Sequence, residues 1–265
     1  MQVTNNATSS IFNQVQEKQD TLFEKLASGK KVNDATDGAA AQQIIDRLTS
    51  EVEGNRQAVN NVYDGISLTQ VAEGGLSSIN DDVNRIRELT LQAGSGILSD
   101  NDRQALQSEI SQRQDNISQT IEQTNFAGQP LLSQDGVLSF QVGANASNNL
   151  DIKTQDFADQ LSGVLAINLT AGTSVNDALV AADEAIELVG GAQSELGATQ
   201  NALQSTARNL TQSNVNAADA RSRVQDLDFA QASSQLAANN IQSQAALTVQ
   251  AQANQQQGAV LALLS

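Results

Sequence analysis

The chain has no cysteine, no histidine and no tryptophan, a single proline at Pro130 and only 3% aromatic residues. Without histidine or cysteine it lacks an imidazole base, a thiol nucleophile and the usual ligands of zinc or haem. It is read as a non-enzyme with no catalytic residue, metal ligand or cofactor. Positive charge is also scarce: 14 Lys and Arg stand against 30 Asp and Glu, a formal net charge of −16. Nucleic-acid binding draws its affinity from clustered cations, so that class of partner is excluded. Acidic membrane surfaces are equally disfavoured. No run approaches the roughly 20 apolar residues of a bilayer span, so no membrane insertion is expected. The opening Met1–Asn6 has neither a basic start nor an apolar run, so a cleaved Sec signal is not expected either.

What the chain has is helical periodicity. Leu179, Ala182, Ile186, Val189, Leu196, Leu203, Leu210, Ala217 and Val224 form a seven-residue ladder along one helix seam, and a seam that narrow needs partner helices. A second stripe passes through Leu48, Val52, Val59, Val62 and Ile66 and resumes at Leu76, Ile79, Val83 and Ile86. Its phase slips near Gly74-Gly75, where a gentle bend is expected because glycine disfavours a helix interior. Gly94 and Gly96 should end this helix. The next should run from about Arg103 to near Phe126-Ala-Gly128, with Leu106, Ile110, Ile117 and Ile121 on one face.

Past Pro130 the period changes to two. Val137–Val142 and Leu150–Ile152 read as a β-hairpin across a Gly/Asn-rich turn, and Val164–Leu169 as a further short strand. Ser174, with Asp177 three residues on, is placed to cap the returning helix. The two ends are alike: Ile11, Phe12, Val15, Leu22, Phe23 and Leu26 at one, and Phe229, Leu236, Ile241, Leu247, Leu261 and Leu264 at the other, all among amides and alanines. Arms this poor in bulky apolar surface hardly offset the cost of ordering, about 1–2 kcal/mol per residue, and are expected to order on association.

The fold class is therefore mainly α: a long antiparallel helical bundle or coiled coil with a small β-hairpin region, its domains discontinuous and formed by both chain ends. We expect a coiled-coil pair of arms that orders on association at 1–42 and 226–265, an inner bundle at 43–130 and 173–225, and a short hairpin region at 131–172. The acidic pairs Asp81-Asp82 and Asp183-Glu184 are read as solvated surface, since sequence neighbours do not share a helix face.

Several blocks carry a family resemblance. Leu26-Ala-Ser-Gly-Lys-Lys-Val-Asn-Asp-Ala-Thr-Asp-Gly-Ala-Ala, Asp64–Leu76, Val83-Asn-Arg-Ile-Arg-Glu-Leu-Thr-Leu-Gln92, Glu109–Arg113, Thr124–Gly128, Phe140–Asn145 and Ala220–Phe229 occur in the order and spacing of the bacterial flagellins. The chain resembles a short member of that family with a minimal variable region.

The resemblance implies a subunit of the flagellar filament that polymerises with itself for swimming motility, with the arms 1–42 and 226–265 as the polymerisation domain. It would be exported unfolded by the flagellar type III route, fold at the filament tip and remain outside the cell. It further implies a flagellin-specific export chaperone at the C-terminal arm, contacts with filament cap and hook-associated proteins, and recognition by the vertebrate Toll-like receptor for flagellin. Arg85, Arg87, Glu88, Leu89 and Glu109 match the block concerned with receptor recognition or subunit contact. A hook–filament junction protein is the alternative. A helical enzyme and a cytosolic coiled-coil spacer are the competing classes, and neither accounts for the matched blocks.

Overall fold

In a computed structural model, the backbone is described for residues 2–170 and 173–264, and the side chains likewise except at 2–9, 11, 253, 254 and 256–264. The elements are helices α1 (Gln2–Ser28), α2 (Ala35–Ala93) and α3 (Asp100–Gln123), then strands β1 (Asn125–Phe126), β2 (Gln129–Pro130), β3 (Ser133–Gln141) and β4 (Asn149–Asp156). Two one-turn helices, α4 (Phe157–Gln160) and α5 (Ser162–Leu165), lead into the long helices α6 (Val175–Gln225) and α7 (Phe229–Leu264). The described residues form two compact units, one of residues 1–52 with 215–265 and the other of residues 53–214. The hairpin region lies within the second.

The second unit holds the main apolar core. Val62, Leu76, Ile79, Val83 and Ile86 on α2 are fully enclosed, as are Ile110, Ile117 and Ile121 on α3 and Val189 and Leu203 on α6. Both heptad stripes thus turn inward. The buried seam of α6 also includes Ala178 and Ala185, which lie outside the sequence ladder. Their small side chains let neighbouring elements approach closely.

Gly75 does not loosen α2, which is helical through both glycines. A Cβ at Gly75 would lie 2.6 Å from the Thr124 hydroxyl and 3.0 Å from Leu132 Cδ1, whereas one at Gly74 would meet nothing within 4 Å. The glycine pair marks a close approach between α2 and the segment after α3. The departure from helical backbone angles falls instead at Gly38.

Helix α3 starts three residues earlier than expected because Ser99 forms a capping box: its hydroxyl accepts from the Asp102 amide while Asp102 accepts from the Ser99 amide. It stops at Gln123, and Phe126-Ala-Gly128 makes a tight hairpin between β1 and β2. The two central residues, Ala127 at φ 50° and Gly128 at φ 82°, take the left-handed angles of a type I′ turn. Strands β3 and β4 pair antiparallel, with Leu138 opposite Ile152 and Phe140 opposite Leu150, and these four pack on the core.

Residues 164–169 are not a strand. Asp156 accepts from the amides of Ala158 and Asp159 and so begins helical turns, in which Phe157, Leu161 and Val164 recur at helical spacing and are all buried. The segment that follows is pinned by side-chain amides of α3. Gln107 donates to the Ile167 carbonyl at 3.2 Å and accepts from the Leu169 amide at 2.8 Å, and Gln114 donates to the Val164 and Ile167 carbonyls. Ser174 caps α6 by accepting from the Asp177 amide at 3.0 Å.

Candidate assembly surfaces

In the first unit α1 packs against α7. The joint is made by main chain: the Lys31 amide donates to Gln225 O at 2.8 Å and the Leu227 amide to Gly29 O at 3.0 Å, beside a bridge between Lys30 and Asp226. Gly29 has a φ of 68°, which is why glycine stands where α1 ends. Asp228 caps α7 by accepting from the Ala230 and Gln231 amides. Lys25 Nζ pairs with Asp37 at 2.7 Å. This bond, with one from the Asn33 amide, holds the Asp37 carboxyl below its ordinary pKa. Further along the arms, Gln19 donates to Asn240.

Pairing leaves much of the arms' apolar surface uncovered. Val15 and Ala232 are buried, and Phe12, Leu22, Leu26 and Leu236 are half-buried. Phe229 remains 65% exposed, Ile241 68%, Phe23 53% and Leu247 52%. The side chains of Ile11, Leu261 and Leu264 lie outside the described residues. The paired arms thus leave Phe23, Phe229, Ile241 and Leu247 more than half exposed.

The second unit carries a cluster of ion pairs. Arg85 is held between elements, its Nε and terminal nitrogen both donating to Glu109 Oε1 on α3 at 2.9 Å and its other nitrogen to Glu88 at 3.0 Å. The Glu109 and then the Glu88 carboxylates raise the Arg85 pKa above its ordinary value. Arg87 Nε reaches Asp183 on α6 at 2.6 Å. Of the five residues assigned to this surface, Arg85, Arg87, Glu88 and Glu109 are at least partly exposed. Leu89 is not: it is 1% exposed and belongs to the core beneath them.

One acidic residue needs correction as well. Asp82 is buried and accepts from Arg113 at 3.0 Å, whereas Asp81, Asp183 and Glu184 are exposed as expected, Asp183 also holding Arg87. The arginine partners came from α2 and α3, and sequence spacing alone did not register them.

Among the described residues no group of His, Cys, Asp and Glu is arranged to hold a metal, and no helix is long and apolar enough to cross a membrane. Paired ends with unspent apolar surface, joined to a polar-sided helical bundle, define a self-assembling structural subunit. The comparisons give this class its family. The model of the bacterial flagellin N-terminal helical region matches residues 1–136, and that of the C-terminal helical region matches residues 179–264.

The chain is 36% identical to a flagellin of Halalkalibacterium halodurans over 91% of its length and 90% of that protein's. It is likewise 36% identical to a flagellin of Bacillus subtilis, covering 91% of each. A Salmonella choleraesuis flagellin matches 66% of the chain at 38% identity, but the match is only 35% of that longer protein. In fold, Bacillus cereus flagellin superposes with a TM-score of 0.51, at 24% identity over 57% of the chain and 88% of that structure. A protein described as a flagellar hook-associated protein from Vibrio parahaemolyticus gives 0.61, at 16% identity over 72% of the chain and all of that structure.

The chain belongs to the bacterial flagellin family. It is a structural subunit of the flagellar filament, with little sequence beyond the helical regions. The hook-associated likeness is one of fold and does not favour the junction reading over the filament.

Proposed function

We propose that the arms 1–42 and 226–265 are the polymerising device of this flagellin, that 43–130 with 173–225 is its bundle domain, and that 131–172 is its reduced variable region. The observation that carries this reading is the exposed apolar set on the paired arms, Phe23, Phe229, Ile241 and Leu247. Neighbouring copies supply the missing partners, so ordering of the arms and growth of the filament are one coupled event. A contact between unlike surfaces repeats without closing and yields a helical fibre.

The chain would travel unfolded to the filament tip and fold there, outside the cell. Absence of cysteine, which removes cross-linking in transit, and a lone proline, which nearly removes slow isomerisation, support that route. The segment Phe229–Ser265 has no charged residue at all, which makes it the part of the exported chain most in need of an export chaperone. Cap and hook-associated proteins would meet the same arms at the filament's ends. Arg85, Arg87, Glu88 and Glu109 are the receptor-facing candidates, and Leu89 acts only by holding their helix in place.

Hydrogen exchange on the full chain before and after seeded growth tests the coupling. Amides of α1 and α7 exchange fast in the monomer and are protected in the filament, while those of Val62–Leu89 are protected in both. Equal protection of the arms in both states would refute coupled ordering. For the receptor surface, the pair Arg85→Ala and Glu109→Ala lowers signalling by monomer in reporter cells that carry the receptor. An undiminished response, with the fold intact by circular dichroism, would remove that assignment.

A further inference from the structure

Two features of the second unit are complementary. One is a knob. The Leu98 amide donates to Ser95 O at 3.4 Å, and the Ser95 amide to Gln92 O at 3.1 Å. This closes a turn whose tip carries Ile97, 93% exposed, the most exposed large apolar residue among those described. The turn is anchored on one side by α2 and on the other by the Ser99 capping box, so Ile97 is held out on a built support.

The other feature is a hole. A cavity of about 80 Å³ opens between β4, α2 and α6, lined by apolar Leu76, Leu132, Phe157 and Ala192 together with polar groups that include Thr154 and Thr199. Leu76, Leu132 and Phe157 are each at most 2% exposed. Pockets for cofactors or drug-sized ligands run to roughly 300–1,000 Å³, so this one is of a size for a single aliphatic side chain.

The two cannot meet within one copy. The hole adjoins Leu68–Leu76 of α2, and Ile97 lies beyond the end of that helix at Ala93. At 1.5 Å per residue the separation along α2 is on the order of 30 Å. We infer that Ile97 of one copy inserts into the Leu76–Phe157 cavity of a neighbouring copy in the filament. The inference rests on the chain being a filament subunit.

Charge favours the same occupant. Residues 53–214 carry seven Lys and Arg against twenty Asp and Glu, so copies repel over most of this unit's surface. Cations at a contact are therefore valuable, and Lys153, the one lysine of this stretch, lines the cavity, as does Glu195. The turn brings Asp100 and Arg103 along with Ile97. Lys153 with Asp100 and Glu195 with Arg103 are opposite-sign pairs across the contact. Knob and hole are different surfaces of one molecule, so the contact is head-to-tail and propagates.

Because the chain has no cysteine, the contact can be read by disulfide trapping in the full-length protein. Ile97→Cys and Thr199→Cys, the latter lining the cavity, are combined, grown from seeds and oxidised with copper phenanthroline. A disulfide needs Cα atoms within about 7 Å. A ladder of covalent trimers and larger species from filaments, with at most dimers from either single variant, is the expected result. Normal filaments without a ladder overturn the contact and leave the filament reading intact. Failure of the unsubstituted chain to grow from seeds would instead overturn the filament reading itself. A second variant, Ile97→Ser, changes a side chain that is 93% exposed in its own copy and raises the critical concentration for growth about tenfold, as loss of one buried aliphatic side chain demands. An unchanged critical concentration would also overturn the contact.

Discussion

Replacing Gly74 and Gly75 with alanine, one at a time, separates helix propensity from packing at neighbouring positions of α2. At Gly74 a new methyl meets nothing within 4 Å, so only the backbone term acts, and alanine stabilises by about 0.5–1 kcal/mol. At Gly75 the same gain is opposed by a Cβ 2.6 Å from Thr124 Oγ1 and 3.0 Å from Leu132 Cδ1. Neither neighbour yields easily. The Thr124 hydroxyl donates to Thr120 O at 2.6 Å, and Leu132 is 2% exposed within the core. Overpacking costs typically 1–3 kcal/mol, so the net change is a loss of about 1 kcal/mol. In a unit of this size that corresponds to roughly 2–4 °C. Thermal unfolding of the full-length monomer, followed by far-ultraviolet circular dichroism, should therefore show Gly74→Ala melting higher than the parent and Gly75→Ala lower. A rise in both would refute the close approach at Gly75, and a fall in both would restore the idea that the pair is needed for a bend.

Leu203→Ala empties a fully buried position that packs over Gly65 and should cost about 2–5 kcal/mol in urea unfolding. Ala127→Asn puts a residue tolerant of left-handed angles at φ 50° and should raise stability by about 0.5–1 kcal/mol in the same assay. Ser99→Ala removes the α3 capping box and should cost about 1 kcal/mol at neutral pH. Its deficit depends on pH in a fixed direction. The Ser99 hydroxyl and amide hold the Asp102 carboxyl below its ordinary value of 3.8, so this contribution is complete above 3.8 and is lost as pH falls through the lowered folded value. Unfolding measured at pH 7 and again in acid should show the gap between parent and variant narrow, and a gap that widens would contradict the assignment.

The long elements were legible because their signal is redundant. Every turn of α2 and α6 repeats the same apolar placement, and both stripes are where the core forms. Local chemistry was legible where residue type alone decides, as with Ser174 before Asp177 and the Gly/Asn-rich turn of the β3–β4 hairpin. What failed were inferences needing a partner from elsewhere. Gly75 reads as a helix defect until Thr124 and Leu132 stand beside it, and Asp82 reads as solvated until Arg113 arrives from α3. Residues 164–169 show how a short apolar run fits two periods: after the Asp156 cap, helical turns run only to Leu165 and the rest is irregular. The exposure of Phe23, Ile241 and Leu247 and the burial of Leu89 likewise depend on which helix faces which, and that is a tertiary fact.

The central claim is that this flagellin cannot polymerise without its two chain ends, whatever contacts the bundle adds. Electron microscopy of seeded growth tests it most directly, comparing the full chain with one that stops at Phe229. The account predicts filaments from the full chain, and from the shortened chain a folded, helical monomer that does not extend seeds at any concentration. Filaments grown from the shortened chain would contradict it.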